Sequence, residues 1–133
     1  MSLTVVDASV LVAFYAADDP RRSAVSDRLA AGNTLFAPAH LDAEVVSALR
    51  GVTRRNPALA ETMPRALKHL AGFPIRRMPL APMIDRMWQL RDTVTPYDAA
   101  YVALAERLDG DLITCDSRLA RSNGPLCAFD LVS

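Results

Sequence analysis

The fold is decided by the stretch Leu3-Thr4-Val5-Val6-Asp7, an apolar and β-branched run that ends on an acid. A run this short, bounded by a polar residue, predicts a buried strand. The apolar sequence that follows, Ala8–Ala16, predicts a helix that begins where the strand stops. A strand that passes directly into a helix is the first half of a βαβ unit, so we expect an α/β protein.

The rest of the chain repeats this alternation of short apolar runs and helical patterns. Further strands are predicted at Thr34–Ala37, Ile75–Met78, Asp111–Thr114 and Leu126–Leu131. Further helices are predicted at Pro20–Ala31, Pro38–Arg55, Ala58–Ala71, Ala81–Asp92 and Pro96–Leu108, with a helical turn at Ser117–Arg121. The pattern predicts one three-layer α/β domain over residues 1–133, with a central, mostly parallel sheet of about four to five strands flanked by helices.

Length and composition are typical of one globular domain. The chain has 133 residues, of which 51% are hydrophobic and 23% charged. Its two cysteines, Cys115 and Cys127, form neither a C-x-x-C pair nor a zinc pattern, so we expect a reducing, cytoplasmic location. The N-terminal run lacks a positively charged start and is broken at Asp7, which argues against a signal peptide. No stretch approaches the length needed to span a membrane, and no membrane association is expected.

Acidic residues stand at the ends of predicted elements. Asp7 directly follows the first strand, and Asp116 follows Leu112-Ile113-Thr114 with one residue between. The carboxyl ends of parallel strands meet at one edge of a sheet, where functional groups of such folds gather. Asp98 stands just inside a helix that is apolar nearly all round, and Glu44 shares a helical face with apolar residues.

Four converging carboxylates repel one another and resist loss of water, and a hard cation removes both costs. Oxygen ligands suit Mg²⁺ or Mn²⁺, and a site of this kind suits hydrolysis of a phosphodiester by a metal-activated water. No other catalytic apparatus competes. His40 and His69 are not spaced as a metal pair, Ser9 lacks the G-x-S-x-G context, and the sequence has no phosphate-binding glycine loop.

Each acid also has a purely structural interpretation. Asp7 and Asp116 can cap the helices that follow them. Asp98 stands where an acid completes a capping box with Thr95, and Glu44 can be a solvated surface residue. These alternatives remain open for each residue taken alone, and the set of four is more specific than its members.

Several segments resemble the PIN-domain ribonucleases, and most of all the VapC toxins of bacterial toxin–antitoxin pairs. They are Val5-Val6-Asp7-Ala8-Ser9-Val10, the helix carrying Glu44, the run Tyr97-Asp98-Ala99-Ala100-Tyr101-Val102-Ala103-Leu104-Ala105, and Leu112-Ile113-Thr114-Cys115-Asp116. The resemblance implies a catalytic set of Asp7, Glu44, Asp98 and Asp116, with Asp7, Asp98 and Asp116 as ligands of Mg²⁺ or Mn²⁺. It gives Ser9 and Thr114 supporting roles. Family members often carry an acid or Asn just beyond the last Asp, where this chain has Ser117-Arg118, which leaves the number of metals open.

The same resemblance implies partners. It predicts a cytoplasmic, metal-dependent endoribonuclease that acts on RNA, such as transfer or ribosomal RNA, and leaves 5′-phosphate and 3′-hydroxyl ends. It also predicts a homodimer and a cognate VapB-like antitoxin that places a basic residue among the acids. A non-catalytic RNA- or protein-binding module that keeps the PIN fold is the alternative. Phosphatases of the haloacid-dehalogenase type are disfavoured because Ser9 stands where they need a second acid.

Fifteen basic and fifteen acidic residues cancel, so contact with nucleic acid must depend on local segregation of charge. Arg50, Arg54 and Arg55 form a basic group near the end of a predicted helix, and we predict that they contact substrate phosphate. The alternative is a set of cations favoured at a helix C-terminus.

Overall fold

The computed structural model describes residues 2–133 and contains a five-stranded, fully parallel sheet. The strands are β1 (Leu3–Val6), β2 (Thr34–Pro38), β3 (Ile75–Met78), β4 (Asp111–Thr114) and β5 (Phe129–Leu131). Their order in the sheet is β3-β2-β1-β4-β5, so β1 lies at the centre and the strand order reverses beside it. The predicted α/β class with a mostly parallel sheet is confirmed.

Within residues 2–133 the strands are connected by seven α-helices: α1 (Ala8–Tyr15), α2 (Arg22–Leu29), α3 (Leu41–Arg55), α4 (Met63–Ala71), α5 (Ile84–Gln89), α6 (Pro96–Leu108) and α7 (Ser117–Ala120). The first four lead the chain outward from β1 to β3, whereas α5 and α6 carry it back across to β4. Since such crossovers are right-handed, opposite directions of travel place the two groups on opposite faces of the sheet. No helix in the described part of the chain is long and apolar enough to cross a membrane.

Helix α6 is the most buried helix of the fold. All seven residues from Ala99 to Ala105 are buried, because α6 packs on β1, β2 and β4 while α5 covers its outer side. Small alanines allow this close approach, and Tyr101 is the largest fully buried side chain. The predicted helix Pro96–Leu108, apolar nearly all round, is confirmed with the same bounds.

A tight connection brings β4 alongside β1. Asp109 ends α6 in the left-handed region, with φ 51°, and Gly110 follows. A Cβ atom on Gly110 would lie 2.5 Å from the Leu3 carbonyl oxygen, so only glycine permits this approach. The register then pairs Val6 with Ile113, which aligns the ends of the two strands.

Prolines account for most differences from the predicted helix bounds. The prediction that Pro38 opens a helix is wrong, because Pro38 ends β2 and α3 begins at Leu41. A strand end tolerates Pro, which has no N–H to donate. The predicted helices at Ala58–Ala71 and Ala81–Asp92 both begin as 3-10 turns, at Pro57–Thr62 and Ala81–Met83. The last strand is also shorter than predicted.

Candidate active site

The carboxyl ends of β1 and β4 bring Asp7 and Asp116 to one edge of the sheet. The backbone N–H of Asp7 donates to the Ile113 carbonyl at 3.0 Å, which continues the β1–β4 pairing by one residue. Both acids therefore leave the sheet side by side, as expected for adjacent parallel strands.

Two hydroxyl groups hold the Asp7 carboxylate. Ser9 Oγ donates to Asp7 Oδ2 at 2.6 Å, and Thr114 Oγ1 donates to the same oxygen at 2.8 Å. Each hydroxyl also accepts a backbone hydrogen bond. The Cys115 N–H donates to Ser9 Oγ and the Asp116 N–H donates to Thr114 Oγ1, both at 3.0 Å. This network orients Asp7 from the first turn of α1 and from the end of β4. The side chain of Asp7 makes no capping bond to α1, so the purely structural interpretation of this residue is not supported.

Asp7 is 5% exposed, and no ion pair in the described chain involves it. Burial raises its pKa from 3.8 to about 6, against the lowering effect of the Ser9 and Thr114 hydrogen bonds. The negative charges of Asp98 and Glu44 raise the pKa further. The carboxylate is therefore buried among like charges, an arrangement that costs free energy without a cation.

Asp98 stands in the first turn of α6, where its backbone N–H donates to Thr95 Oγ1 at 3.2 Å. Thr95 thus caps the helix and aims Asp98 toward the same edge. Burial raises the pKa of Asp98, and the charges of Asp116 and Glu44 add to the increase, whereas Arg118 lowers it. Asp98 therefore lies within electrostatic reach of two further acids.

Asp116 caps α7, since its Oδ1 atom accepts from the N–H groups of Arg118 and Leu119 at 2.9 and 3.2 Å. The predicted capping role of Asp116 is therefore present. Both capping hydrogen bonds are accepted by Oδ1 of Asp116, so its Oδ2 atom is available for a ligand. Capping fixes the carboxylate and does not exclude a second role.

Glu44 is held by two donors on its Oε1 atom. Tyr101 donates at 2.7 Å, and His40 Nε2 lies 3.1 Å away and also 3.2 Å from the Tyr97 carbonyl oxygen. Burial tends to raise the pKa of Glu44, but the bonds from His40 and Tyr101 outweigh it and the pKa is lowered. The Glu44 bond in turn raises the pKa of His40. Glu44 is thus an oriented, ionised carboxylate and not a freely solvated one.

We call Asp7, Glu44, Asp98 and Asp116 the carboxylate cluster. Its donors are all oxygens, the ligand type that hard divalent cations prefer. Within residues 2–133, no three acid, histidine or cysteine side chains are already close enough to coordinate one ion. Coordination therefore needs side-chain adjustment around Asp7. The buried, unpaired Asp7 and its like-charged neighbours nevertheless fit a bound cation.

The family follows from a sequence comparison. A sequence model of the PIN domain matches residues 4–124. The chain belongs to the PIN-domain family. Curated PIN-domain relatives include Ribonuclease VapC12 of Mycobacterium tuberculosis H37Rv, 42% identical over 131 residues, which are 98% of this chain and all of that protein. Ribonuclease VapC3 of the same strain is 42% identical over 118 residues, which are 89% of this chain and 85% of that protein. The predicted relationship to VapC-type PIN-domain proteins is confirmed.

Solved PIN-type structures share the fold. The Mycobacterium tuberculosis VapC20 toxin, described as cleaving the sarcin–ricin loop, superposes with a TM-score of 0.67 over 87% of this chain and 92% of its own, at 18% identity. PAE2754 from Pyrobaculum aerophilum gives a TM-score of 0.69 over 98% of this chain and 84% of its own, at 24% identity. At these identities the likeness concerns the PIN fold alone.

The remaining predicted site residues lie elsewhere. Arg50, Arg54 and Arg55 are exposed on the second half of α3, six to eleven residues beyond Glu44. At 1.5 Å per residue, Arg54 is about 15 Å along the helix from Glu44. Sequence reasoning missed the partners of Glu44, although His40 stands four residues before it, where helical side chains meet.

Proposed function

We propose that this PIN-domain chain is a metal-dependent endoribonuclease of the VapC type and acts as the toxin of a toxin–antitoxin pair. The ribonuclease activity rests on the curated relatives, since VapC12, matched over its whole length, and VapC3 are both ribonucleases. The observation that carries the site assignment is the buried, hydroxyl-bound Asp7 with acidic neighbours and no described cationic partner. We also propose that residues 1–133 act as one nuclease domain.

In this proposal Asp7, Asp98 and Asp116 hold Mg²⁺ or Mn²⁺. A bound ion of this kind supplies a Lewis acid and lowers the pKa of water, which are the requirements of phosphodiester hydrolysis. Ser9 and Thr114 fix the Asp7 carboxylate through Oδ2, and its Oδ1 atom accepts no hydrogen bond from the described residues. Helix α1 supplies the Ser9 hydroxyl and strand β4 supplies the Thr114 hydroxyl, so the position of Asp7 is set before any substrate arrives.

Glu44 orients the attacking water in the proposed reaction. His40 and Tyr101 both engage Oε1, so Oε2 is the atom left to accept a hydrogen bond from water. The lowered pKa of Glu44 keeps this carboxylate ionised and able to accept. Tyr101 stays protonated, because burial and the Glu44 bond raise the pKa of its hydroxyl.

We further propose a cognate VapB-like antitoxin, a homodimeric toxin, and transfer or ribosomal RNA as substrate. An antitoxin that places a guanidinium among four carboxylates would offset their charge and compete with the metal. The non-catalytic alternative, a PIN-fold binding module, loses support because all four acids are present and the curated relatives are ribonucleases.

The test is RNA cleavage by the purified protein with Mg²⁺ or Mn²⁺, and with EDTA. Asp98→Asn should abolish cleavage and leave the fold intact, because Asn keeps the shape and the helical position but not the charge. Asp27→Asn is the matched control, since it removes one exposed acid from α2. Retained cleavage by the Asp98 variant, at the rate of the Asp27 control, would remove Asp98 from the site.

A further inference from the structure

A groove with a volume of about 300 Å³ opens beside the carboxylate cluster. Asp98 forms part of its wall. The other polar lining residues are Arg91, Asp92, Thr93, Thr95, Arg118 and Ser122. A volume of about 300 Å³ is at the lower end of the range for small-ligand pockets and suits a single nucleotide unit. The groove therefore offers space for substrate directly next to a proposed reaction site.

Two arginines of this groove carry charges that no acid pairs with in the described residues. Neither Arg91 nor Arg118 takes part in an ion pair within the described chain, unlike Arg77 and Arg86, which hold acids elsewhere. Arg118 lies close enough to Asp98 to lower its pKa, so its positive charge adjoins the cluster. Arg guanidinium groups bind phosphate with planar, paired hydrogen bonds.

An exposed tryptophan stands at the Arg91 end of the groove. Trp88 is 66% exposed, the second most exposed of the large apolar side chains, and it is the only tryptophan of the chain. The guanidinium carbon of Arg91 lies 4.4 Å from the centroid of the Trp88 ring. Arg91 Nη1 also donates to the Trp88 backbone carbonyl oxygen at 2.9 Å, which ties the Arg91 side chain to the Trp88 backbone.

We propose that this groove, with Trp88, is a binding subsite for a single-stranded RNA nucleotide that adjoins the scissile phosphate. A base stacks on the exposed indole of Trp88, and Arg91 and Arg118 bind the flanking phosphates. Aromatic platforms next to cations are the usual means of binding single strands, because every base has a π-face. The inference rests on the proposed ribonuclease function and specifies where its substrate lies. It places the substrate contacts beside α6 and α7 instead of on Arg54 and Arg55.

Trp88 provides a direct signal. The Asp7→Asn protein, which should not cut RNA, is titrated with a single-stranded oligouridylate while its intrinsic fluorescence is recorded. Stacking should change the Trp88 emission in a saturable manner. Binding of a labelled oligouridylate, followed by anisotropy, should give the same dissociation constant.

Substitutions in the same Asp7→Asn background locate the subsite. Trp88→Ala should weaken binding about tenfold, and Trp88→Phe should retain most of the affinity because it keeps a ring. Arg118→Gln should weaken binding severalfold and lower the slope of log Kd against log salt by about 0.7, the value for one lost phosphate contact on a single strand. Arg65→Gln removes the same charge from an exposed position on α4 and should change neither quantity.

Three results would overturn the subsite. If RNA binds without changing the Trp88 emission, and Arg118→Gln binds it as tightly as the Asp7→Asn background does, the RNA binds outside this groove. An emission that changes with protein concentration and not with RNA would place a second copy on Trp88. If Trp88→Ala or Arg118→Gln abolished inhibition by the antitoxin and left the affinity for RNA unchanged, the groove would bind a protein partner. Failure of the proposed function would give a different result. The protein with Asp7 intact would then cut no RNA in the presence of Mn²⁺, whether or not RNA changes the Trp88 emission.

Discussion

Two acids in two regions of this molecule are held in opposite ways. At the strand ends, Asp7 is buried with two hydroxyl donors, and no ion pair is described for it. Between α5 and α6, Glu106 accepts two bonds from Arg86, at 2.7 and 3.0 Å, and one from the Leu126 N–H at 2.8 Å. The difference teaches that this fold gives Glu106 a cationic partner of its own and gives Asp7 none, which under the proposed function is where the metal binds.

The pKa values follow this division. Burial and acidic neighbours raise the pKa of Asp7 to about 6. Burial also acts to raise the pKa of Glu106, but the Arg86 and Leu126 bonds outweigh it and lower the pKa. Any experiment in which substitutions of Asp7 and Glu106 have the same effect would contradict this difference.

The largest expected difference is in cleavage. Asp7→Asn should lower the rate of RNA cleavage by about a thousandfold or more, because weakening the proposed metal site removes several kcal/mol of transition-state stabilisation. Glu106→Gln should cleave at close to the normal rate, since Glu106 lies in the structural ion pair. Rates measured at saturating Mn²⁺ compare the two. Similar losses in both variants would show that the division between the regions is mistaken.

Stability should change with opposite sign. In EDTA at pH 7.5, Asp7→Asn should raise the free energy of unfolding by about 1 to 3 kcal/mol, since a pKa moved from 3.8 to about 6 corresponds to about 3 kcal/mol. Glu106→Gln should lower it by about 1 to 2 kcal/mol, because charge-assisted hydrogen bonds become neutral ones. Thermal melts of both variants decide the matter.

Metal adds a control to the same melts. Saturating Mn²⁺ should stabilise the unmodified protein more than Asp7→Asn, because binding to the folded state adds stability by mass action. It should stabilise Glu106→Gln as much as the unmodified protein. A lower melting temperature for Asp7→Asn in EDTA, without a differential response to Mn²⁺, would make Asp7 a structural residue.

The two acids should also differ in the pH dependence of stability. Folded Asp7 binds its proton more tightly than unfolded Asp7, so its destabilising effect grows as pH rises from about 4 to 6 and is complete above that range. The stability gained by Asp7→Asn in EDTA should therefore be large at pH 7 and vanish below pH 4. Glu106 has a lowered pKa, so its contribution is full above about 4.5 and is lost as pH falls further. Urea melts of each variant and the unmodified protein across this pH range test both curves.

Sequence predicts the strand-end acids well because local pattern and strand topology act together. Asp7 and Asp116 are next to apolar runs, and the parallel arrangement alone brings such runs to one edge. The start of α6 at Pro96 is equally local, since Thr95 and Pro96 are typical of a helix N-terminus. These features need no knowledge of distant contacts.

The rest depends on contacts that local pattern does not encode. The spacing of apolar residues in α6 does not distinguish Tyr101 from its buried neighbours. Its hydrogen bond to Glu44 joins residues that are 57 positions apart in the sequence. Arg91 is separated from Arg118 by the whole of α6 and β4, so no motif could place the two in one groove. Pro38 was predicted to start a helix but ends β2 instead, because it pairs with Met78 on the neighbouring strand β3.

The smallest expected effect concerns the orientation of Glu44 and completes the comparison. Tyr101→Phe keeps the buried ring in place and removes one donor from Glu44 Oε1, whereas His40 still engages that oxygen. We expect the cleavage rate at neutral pH to fall about fivefold, equivalent to about 1 kcal/mol, the net contribution of a typical hydrogen bond. Losing the Tyr101 bond also raises the pKa of Glu44, so the acid limb of the rate profile should move to higher pH. Arg86→Gln removes the corresponding donor from Glu106 and should leave the profile unmoved. A Tyr101→Phe protein that loses stability but keeps its rate and its acid limb would show that Tyr101 serves packing alone.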